Sequence, residues 1–587
     1  MQNHEKEELQ DFSLKSLFLP FTTTKAIHYL LLIGILVYAN SFFNNFIADD
    51  SGQLLDNPLV HSISNFFIFF QSGSFGSEGS GSAGIYYKPI FSLFLSIIYS
   101  MFGANAFFFH LIQLLLHVTN SVLVYLLLQK FLRKPLSFLL AAIFLVHPIN
   151  NETVVYVSDM QEVLFFLFGM IGLLLSMKKE LGYKRICLIQ LFLLLSLLAK
   201  ETGILFVLVT NITVFYSARK QWKTFLFSTF LSLVVYSFLR FILAGIYFNQ
   251  STINPIMAAS FTERLFSIPT IFVYYITTFL FPKELLFNQQ WVVTNPTFSN
   301  FGLPLIITVI FFLVLGLLVT FVIRKHSKQT FITLFFLAWF CMGIIIHLQL
   351  VPLDATIADR WFYFPIVGLL ALLGLGLESL IKKPFNHNKR ITFISISLIL
   401  LLLLSVRSII RNTNWQNPIT LYTHDIPLMQ PNFSLENALA YEYFKAGDKN
   451  DAFYHAKKSV GIFRNFVNLT NLGALYAQVG DYPTAKKFYA EATANNPRFY
   501  LASENMAVLL VKQGSKKEAN NFLKKALVTF PKSPKLWLYM IVNAYQLGDK
   551  NGALEAAQQY YLLTRSAQSY AILQRLENNE SLNINIK

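Results

Sequence analysis

Long apolar runs alternate with short polar segments through about the first 410 residues of the chain. The first run, about residues 26–43, has the length of a helix that spans a bilayer, which needs about 20 mainly apolar residues. Similar runs recur as far as Arg407, after which the composition turns polar. The pattern predicts an all-α fold: a cytoplasmic N-terminal segment (residues 1–25), then a polytopic helical membrane domain (residues 26–410).

Basic clusters lie between every second pair of apolar runs, which assigns them to the cytoplasmic side. Two apolar segments, about residues 86–102 and 265–281, do not fit this alternation, and we interpret them as re-entrant or membrane-surface helices. About 11 clear spans remain, or about 13 if local packing overrides the charge rule. Both counts are odd. With the N-terminus in the cytoplasm, the C-terminal domain is expected on the opposite side.

The composition agrees with a membrane protein. Hydrophobic residues make up 54% of the 587 positions, and there are 60 Phe. The net charge of +16 could suggest nucleic acid, but most Lys and Arg residues fall in the short clusters between apolar runs. We therefore attribute the positive charge to membrane topology and expect no nucleic acid partner. The first apolar run is long enough to remain as a signal anchor, rather than a cleaved signal peptide.

A repeat of about 34 residues follows the membrane domain. Gly447, Gly480, Gly514 and Gly548 are each followed five positions later by an alanine. This spacing, with helix-ending prolines, is typical of tetratricopeptide repeats. It predicts an α-solenoid of about four repeats over residues 432–570, after a linker (residues 411–431) and before a tail (residues 571–587). Such a solenoid binds a peptide or protein on its concave face. The alternative is that it only stabilises or oligomerises the protein.

Two adjacent carboxylates, Asp49 and Asp50, open the first external loop (residues 44–86). A carboxylate at the edge of the membrane could act as a general base for an acceptor hydroxyl, or as a ligand of a divalent cation such as Mg²⁺ or Mn²⁺. The alternative is that the pair simply ends the first helix among solvated headgroups.

Lys88 follows two tyrosines and precedes Pro89, immediately before an apolar segment. A lysine in this position suits a lipid-linked phosphate at the membrane surface. Alternatively, it is an interfacial anchor whose ammonium group reaches the headgroups. Arg360, in a late external loop, could make a second phosphate contact because its guanidinium group presents a fixed fork of donors.

Further polar residues fall in the external loops. His147 and Glu152 could complete a metal or acid–base site, although His147 could equally cap a helix. Lys200 and Glu201 interrupt two apolar runs as an apparent ion pair, and we expect them to support the site rather than react.

No motif for soluble nucleotides is present. The sequence lacks a phosphate-binding P-loop, a dinucleotide fingerprint, a zinc-binding His-Glu-x-x-His helix and a Gly-x-Ser-x-Gly elbow. A donor carried by a lipid is therefore favoured.

In their order along the chain, these motifs resemble the GT-C class of integral-membrane glycosyltransferases. The likeness covers about residues 20–570, and is strongest to the protein O-mannosyltransferases that carry C-terminal tetratricopeptide repeats. The resemblance implies that Asp49 or Asp50 is the base or a metal ligand, that Lys88 meets the donor phosphate, and that His147, Glu152 and Arg360 belong to the site.

The resemblance also implies the reaction and the location of the protein. A mannose or similar hexose would move from a polyprenyl phosphate donor to Ser or Thr hydroxyls of exported polypeptides, on the non-cytoplasmic side of a membrane. The expected membrane is the inner membrane of a bacterium. Two alternatives stay open: transfer of the sugar to a lipid or surface glycan, and a non-catalytic membrane scaffold that binds proteins through its repeats.

Overall fold

The computed structural model describes residues 21–75, 86–247, 254–380, 387–582 and 584. Most of the N-terminal segment, part of the first external loop and the end of the tail lie outside this range. Within the described residues the fold is all-α, as predicted. The chain divides into two compact units, whose main boundary in the sequence lies between Leu428 and Met429.

The first unit is a bundle of apolar helices joined by short turns and by longer loops, such as residues 281–297. Its helices of ten or more residues are Thr23–Tyr38, Pro89–Phe102, Ala106–Leu128, Lys134–Val146, Met160–Ser176, Tyr183–Ala199, Ile204–Ser217, Trp222–Ser237, Phe261–Leu280, Leu303–Lys325, Thr330–Ile345, Pro365–Leu380 and His387–Asn414. The last helix ends at Asn414, four residues beyond the predicted limit of the membrane domain.

Within the described range, seven helices are long and apolar enough to cross a membrane, or eight if one bent pair forms a single span. The protein is therefore a multi-pass membrane protein. Of the two apolar segments that do not fit the alternation of basic clusters, the first forms the helix Pro89–Phe102. Its 14 residues are fewer than a bilayer requires. The second forms Phe261–Leu280, a 20-residue helix with an internal proline, which is not one of the seven. Which helices cross remains a prediction.

The ends of the first unit are tied together by a polar seam. Asn412, in the last helix, donates to the Val37 carbonyl oxygen at 2.9 Å and to Asn40 Oδ1 at 2.7 Å. Asn44 donates to the Asn412 carbonyl oxygen, and the Asn45 N–H donates to the Gln416 carbonyl oxygen at 3.0 Å. Buried amides of this kind are stable only when paired. The seam therefore fixes where the first external loop begins.

The second unit consists of four helix pairs and a final helix. The pairs are Phe433–Ala446 with Lys449–Ile462, Phe466–Gln478 with Tyr482–Asn495, Tyr500–Lys512 with Lys516–Thr529, and Pro534–Leu547 with Lys550–Thr564, followed by Ala567–Glu577. The predicted tetratricopeptide solenoid is confirmed.

The repeating residues have the expected roles. The four glycines adopt φ values of 86°, 85°, 68° and 78°, the left-handed conformation that ends a helix and favours glycine. The four alanines that follow them are completely buried, at Ala452, Ala485, Ala519 and Ala553. Small residues at these positions let the two helices of a repeat pack closely.

Candidate functional site

Asp50 is an anchor of the first external loop. Its Oδ1 accepts hydrogen bonds from the Ser158 N–H at 2.7 Å and the Ser158 hydroxyl at 2.6 Å, and its Oδ2 accepts one from the Ile47 N–H at 2.9 Å. The side chain is buried. With both oxygens engaged by backbone and hydroxyl donors, Asp50 pins the loop to the segment before the helix Met160–Ser176.

Asp49 points into a different environment and is exposed. Its backbone N–H donates to the Tyr156 hydroxyl at 3.0 Å, and the preceding residue, Ala48, has a φ of 50°. A non-glycine residue in this left-handed conformation is strained, and strain of this kind is often found at functional sites. The turn therefore directs the two neighbouring carboxylates to different environments.

Charges from distant parts of the chain act on Asp49. Crowding by protein atoms raises the pKa of its carboxyl, even though the side chain opens to solvent. The cations Arg360 and Lys88 oppose this shift, and the Asp354 carboxylate adds to it. Asp49, Lys88 and Arg360, which the sequence predicted to converge, are thus close enough for their charges to interact.

Lys88 is buried, and its Nζ lies 4.2 Å from the centre of the Tyr86 ring. Among the residues that the structure describes, no carboxylate lies within 4.0 Å of this ammonium group. Burial lowers the pKa of Lys88, and the carboxylate of Glu201 opposes the shift. A buried cation without an ion-pair partner suits an anionic ligand.

Arg360 is held by two carboxylates. Its guanidinium group forms a salt bridge with Glu152 and a longer contact with Asp159, where Nε lies 3.5 Å from Oδ1. The Arg360 backbone N–H also donates to Glu152 Oε2 at 3.2 Å. Glu152 is therefore the residue that orients Arg360, which ties the segment after His147 to the late external loop.

Lys200 and Glu201 do not form the ion pair suggested by their adjacency. Lys200 pairs with Glu162, whereas Glu201 Oε1 accepts from Arg240 Nη1 at 2.9 Å. Lys200 is extended (φ −160°, ψ 142°) and Glu201 begins a short 3₁₀ turn, so the two side chains diverge. Each residue links a different pair of helices near Lys88.

His147 has no free ring nitrogen. Its Nε2 donates to the Phe279 carbonyl oxygen at 2.9 Å, and its Nδ1 accepts from the Ile149 N–H at 3.2 Å. These bonds assign the neutral tautomer that carries its proton on Nε2. The structure thus shows His147 capping the turn that follows it, which was one of the two interpretations of the sequence.

The residues described contain no group of three or more His, Cys, Asp or Glu side chains placed to hold a metal ion. At the predicted pair, both oxygens of Asp50 already accept hydrogen bonds, so only Asp49 of the two remains open. A requirement for Mg²⁺ or Mn²⁺ remains a prediction.

Sequence reasoning missed Asp354. This exposed residue accepts a hydrogen bond from the Tyr86 hydroxyl at 2.6 Å. Crowding by protein atoms alone would raise the pKa of the Asp354 carboxyl, even though the side chain opens to solvent. Arg360, the Tyr86 hydrogen bond and Lys88 outweigh this effect and hold the pKa below its usual value. The available signal was an aspartate six residues before Arg360 in the same loop. Asp354 does not lie directly between two long apolar runs, as Lys200 and Glu201 do, so its position in the sequence does not mark it.

Comparisons with known proteins show which proteins this chain resembles. No protein-family model matches the chain. Protein O-mannosyl-transferase F38B6.6 of Caenorhabditis elegans is 25% identical over 69% of this chain and 58% of its own length. Protein O-mannosyl-transferase TMTC3 of Homo sapiens is 22% identical over 89% of this chain and 66% of its own length. The chain thus spans about two thirds or less of the length of these curated relatives.

Among solved structures, the tetratricopeptide repeat protein YrrB is 15% identical and covers 31% of this chain and 91% of its own, with a TM-score of 0.25. This similarity is too low to support any inference. The alignment with the human sequence relative, in contrast, covers 89% of this chain, which is more than the membrane domain alone. The resemblance to the protein O-mannosyltransferases with C-terminal tetratricopeptide repeats is confirmed.

Proposed function

We propose that this chain is a membrane glycosyltransferase that moves a hexosyl group, such as mannose, from a polyprenyl phosphate to Ser or Thr hydroxyls of polypeptides. Two findings support the proposal. The first is homology to proteins named as protein O-mannosyl-transferases, and the second is that the cations Lys88 and Arg360 act on the exposed carboxylate of Asp49. The proposed mechanism depends on the second finding.

Asp49, rather than Asp50, is the proposed general base. A base needs a free carboxylate with a raised pKa, which increases its affinity for the acceptor proton. Desolvation raises the pKa of both carboxyls, but Asp49 is exposed, whereas both oxygens of Asp50 are occupied within the protein. The hydroxyl oxygen would attack the anomeric carbon while the bond to the phosphate oxygen breaks. The proton would pass to Asp49, the lipid phosphate would leave, and the anomeric centre would be inverted.

Lys88 is the proposed contact for the leaving phosphate. Its ammonium group has no salt bridge within the described part of the chain, so its donors are available. Fixed cations in a site poor in water stabilise the charge that grows on a leaving group by several kcal/mol. Arg360 is the proposed second contact, held in place by Glu152 and Asp159.

The repeat unit is the proposed holder of the acceptor polypeptide, which would raise the acceptor concentration near the site. In this arrangement the N-terminus is cytoplasmic and the repeats lie on the non-cytoplasmic side. For a bacterial protein the membrane would be the inner membrane.

The proposal is tested by sugar transfer in membranes supplied with a labelled polyprenyl phosphate mannose. Asp49→Asn should lower transfer by about 10² to 10⁴-fold, the usual contribution of a general base. Asp56→Asn is the matched control, because Asp56 is an exposed aspartate on the same loop. Full transfer by Asp49→Asn would exclude this residue as the base.

A second experiment separates the acceptor classes. Removal of residues 432–587 should abolish labelling of polypeptides while the membrane domain remains in the membrane. Labelling of glycolipid that survives the deletion would point to a lipid acceptor. If the intact chain transfers no sugar to either class and still recruits proteins through its repeats, the scaffold interpretation replaces the proposed enzyme.

A further inference from the structure

Lys88 presents a physical problem that its proposed role alone does not solve. A lysine ammonium group is strongly hydrated, and burying it without a partner favours loss of its proton. Lys88 is buried, and no described carboxylate lies within salt-bridge distance. Something in the protein must therefore keep the group charged without using up the N–H donors that a phosphate needs.

Tyr86 provides a contact of that kind. The Lys88 Nζ sits 4.2 Å from the centre of the Tyr86 ring, within the range of a cation–π interaction. The negative face of an aromatic ring attracts an ammonium group through its quadrupole, so it does not take up the N–H donors as a carboxylate would. The backbone of Tyr86 is itself held, because its carbonyl oxygen accepts from the Ser74 N–H at 3.0 Å.

Asp354 acts on the other end of the same ring. The Tyr86 hydroxyl donates to Asp354 Oδ2 at 2.6 Å, a short hydrogen bond to an ionised acceptor. Such a bond shifts electron density from the hydroxyl towards the ring and strengthens the attraction of the ring face for a cation. Tyr86 therefore couples an anion in the late external loop to a cation in the first.

The late loop is built to hold Asp354 in place. The Asp354 carbonyl oxygen accepts from Gln290 Nε2 at 2.8 Å. Gln349 Nε2 donates to the carbonyl oxygens of Ala355 and Thr356 at 2.8 and 3.0 Å. A carboxylate held by its own backbone in this way is preorganised rather than recruited by a ligand.

The other charged groups near Lys88 are already paired. Glu162 forms a salt bridge with Lys200, and Glu201 forms one with Arg240. The field at the ammonium group includes contributions from Glu162, Lys200, Glu201 and Asp49, but none of these carboxylates lies within 4.0 Å of it. Asp354 is not in a salt bridge among the described residues, and it contacts the ring on which Lys88 rests.

We propose that Tyr86 and Asp354 are positioning residues that hold Lys88 as a charged lysine without a salt-bridge partner, leaving its N–H groups free for the phosphate of the donor. This inference rests on the proposed function. It assigns no chemical step to either residue, because both act through Lys88.

The test compares Tyr86→Phe, Tyr86→Leu and Asp354→Asn with the wild-type chain, using polyprenyl phosphate mannose as the donor. Tyr86→Leu removes the ring and should raise the donor KM about tenfold, with a smaller change in kcat, because it weakens the cation–π contact. Tyr86→Phe keeps the ring and loses only the hydrogen bond, so its effect should be smaller. Asp354→Asn keeps an acceptor for the Tyr86 hydroxyl but removes the negative charge, and its effect should also be smaller than that of Tyr86→Leu.

The pH profile separates this role from a purely structural one. When Lys88 loses its proton, transfer should fall, which gives an alkaline limb in kcat/KM. A weaker hold on the ammonium group lowers its pKa, so Tyr86→Leu should move this limb down by about one pH unit. In Lys88→Arg the limb should be absent, because guanidinium stays protonated, and adding Asp354→Asn should produce no shift.

Several outcomes would overturn the inference. An unchanged alkaline limb in Tyr86→Leu, with transfer reduced equally at every pH, would mean that Tyr86 and Asp354 only join two loops. Wild-type behaviour of both Tyr86→Leu and Asp354→Asn would remove any role for them. If the wild-type chain transfers no sugar, the proposed function fails and this inference fails with it.

Discussion

The two units of the molecule use charged residues in opposite ways. In the membrane unit most of the described ion pairs are buried and irregular, as in Arg411–Asp425, where the side chains are 2% and 0% exposed. In the repeat unit they are mostly exposed and recur between neighbouring helices, as in Arg464–Glu491, at 50% and 31%. Buried pairs fix one arrangement because an unpaired buried charge is costly, whereas exposed pairs add little.

Breaking the buried pair should have the largest effect on stability. Arg411 makes two hydrogen bonds to Asp425, at 2.6 and 2.8 Å. Arg411→Met leaves that carboxylate without its guanidinium partner and should destabilise the membrane unit by about 3–5 kcal/mol. The measurement is the thermal unfolding midpoint in detergent. The double variant Arg411→Met, Asp425→Leu should recover much of the loss, and no recovery would contradict this account.

Asp50→Asn should have the next largest effect. An amide in place of the carboxylate presents N–H donors to a cluster of three donors, and leaving such groups unpaired costs about 1–3 kcal/mol. The expected result is a lowered thermal midpoint. Asp49→Asn, one residue away and exposed, should leave the midpoint nearly unchanged while it lowers transfer. Equal midpoints for the two variants would mean that Asp50 is not the anchor.

In the repeat unit, side-chain packing should contribute more to stability than ion pairs do. A Cβ atom added at Gly473 would lie 2.7 Å from the Tyr489 ring and 3.3 Å from the Ala485 carbonyl oxygen. Gly473→Ala should therefore destabilise the second helix pair by about 1–3 kcal/mol through overpacking. Limited proteolysis of the full chain reports the loss. Gly461→Ala is the control: it meets no atom within 4 Å and should slightly stabilise its helix.

The smallest effect is expected from the exposed pair. Arg464→Met removes two contacts to Glu491, each 2.7 Å long, but both side chains are hydrated. The expected destabilisation is about 0–1 kcal/mol. A loss as large as that of Arg411→Met, in the same thermal measurement, would remove the distinction between the two units.

The repeat unit could be predicted in detail because its signals are local. A glycine that ends a helix and an alanine five residues later act within one repeat, so a period of about 34 residues is enough to place every helix pair. The apolar runs likewise predicted that the first unit is built of apolar helices, since a helix that spans a bilayer requires mainly length and composition.

The site was less predictable, because its partners come from distant parts of the chain. Adjacency suggested that Lys200 pairs with Glu201, but an extended residue followed by a turn sends the two side chains in different directions. Asp354 carried no signal of its own, because its role depends on Tyr86, 268 positions earlier. The sequence predicts which residues share one side of the membrane. It does not show which of them share a hydrogen bond.

The polar seam between the first and last membrane helices sets an order of events during synthesis. The start of the loop that carries Asp49 is bonded to Asn412 and Gln416. A ribosome must therefore translate more than 400 residues before the earliest part of the site has the contacts that shape it. Until then the first unit lacks the contacts that hold the start of this loop, and the repeats are made only after the helix His387–Asn414.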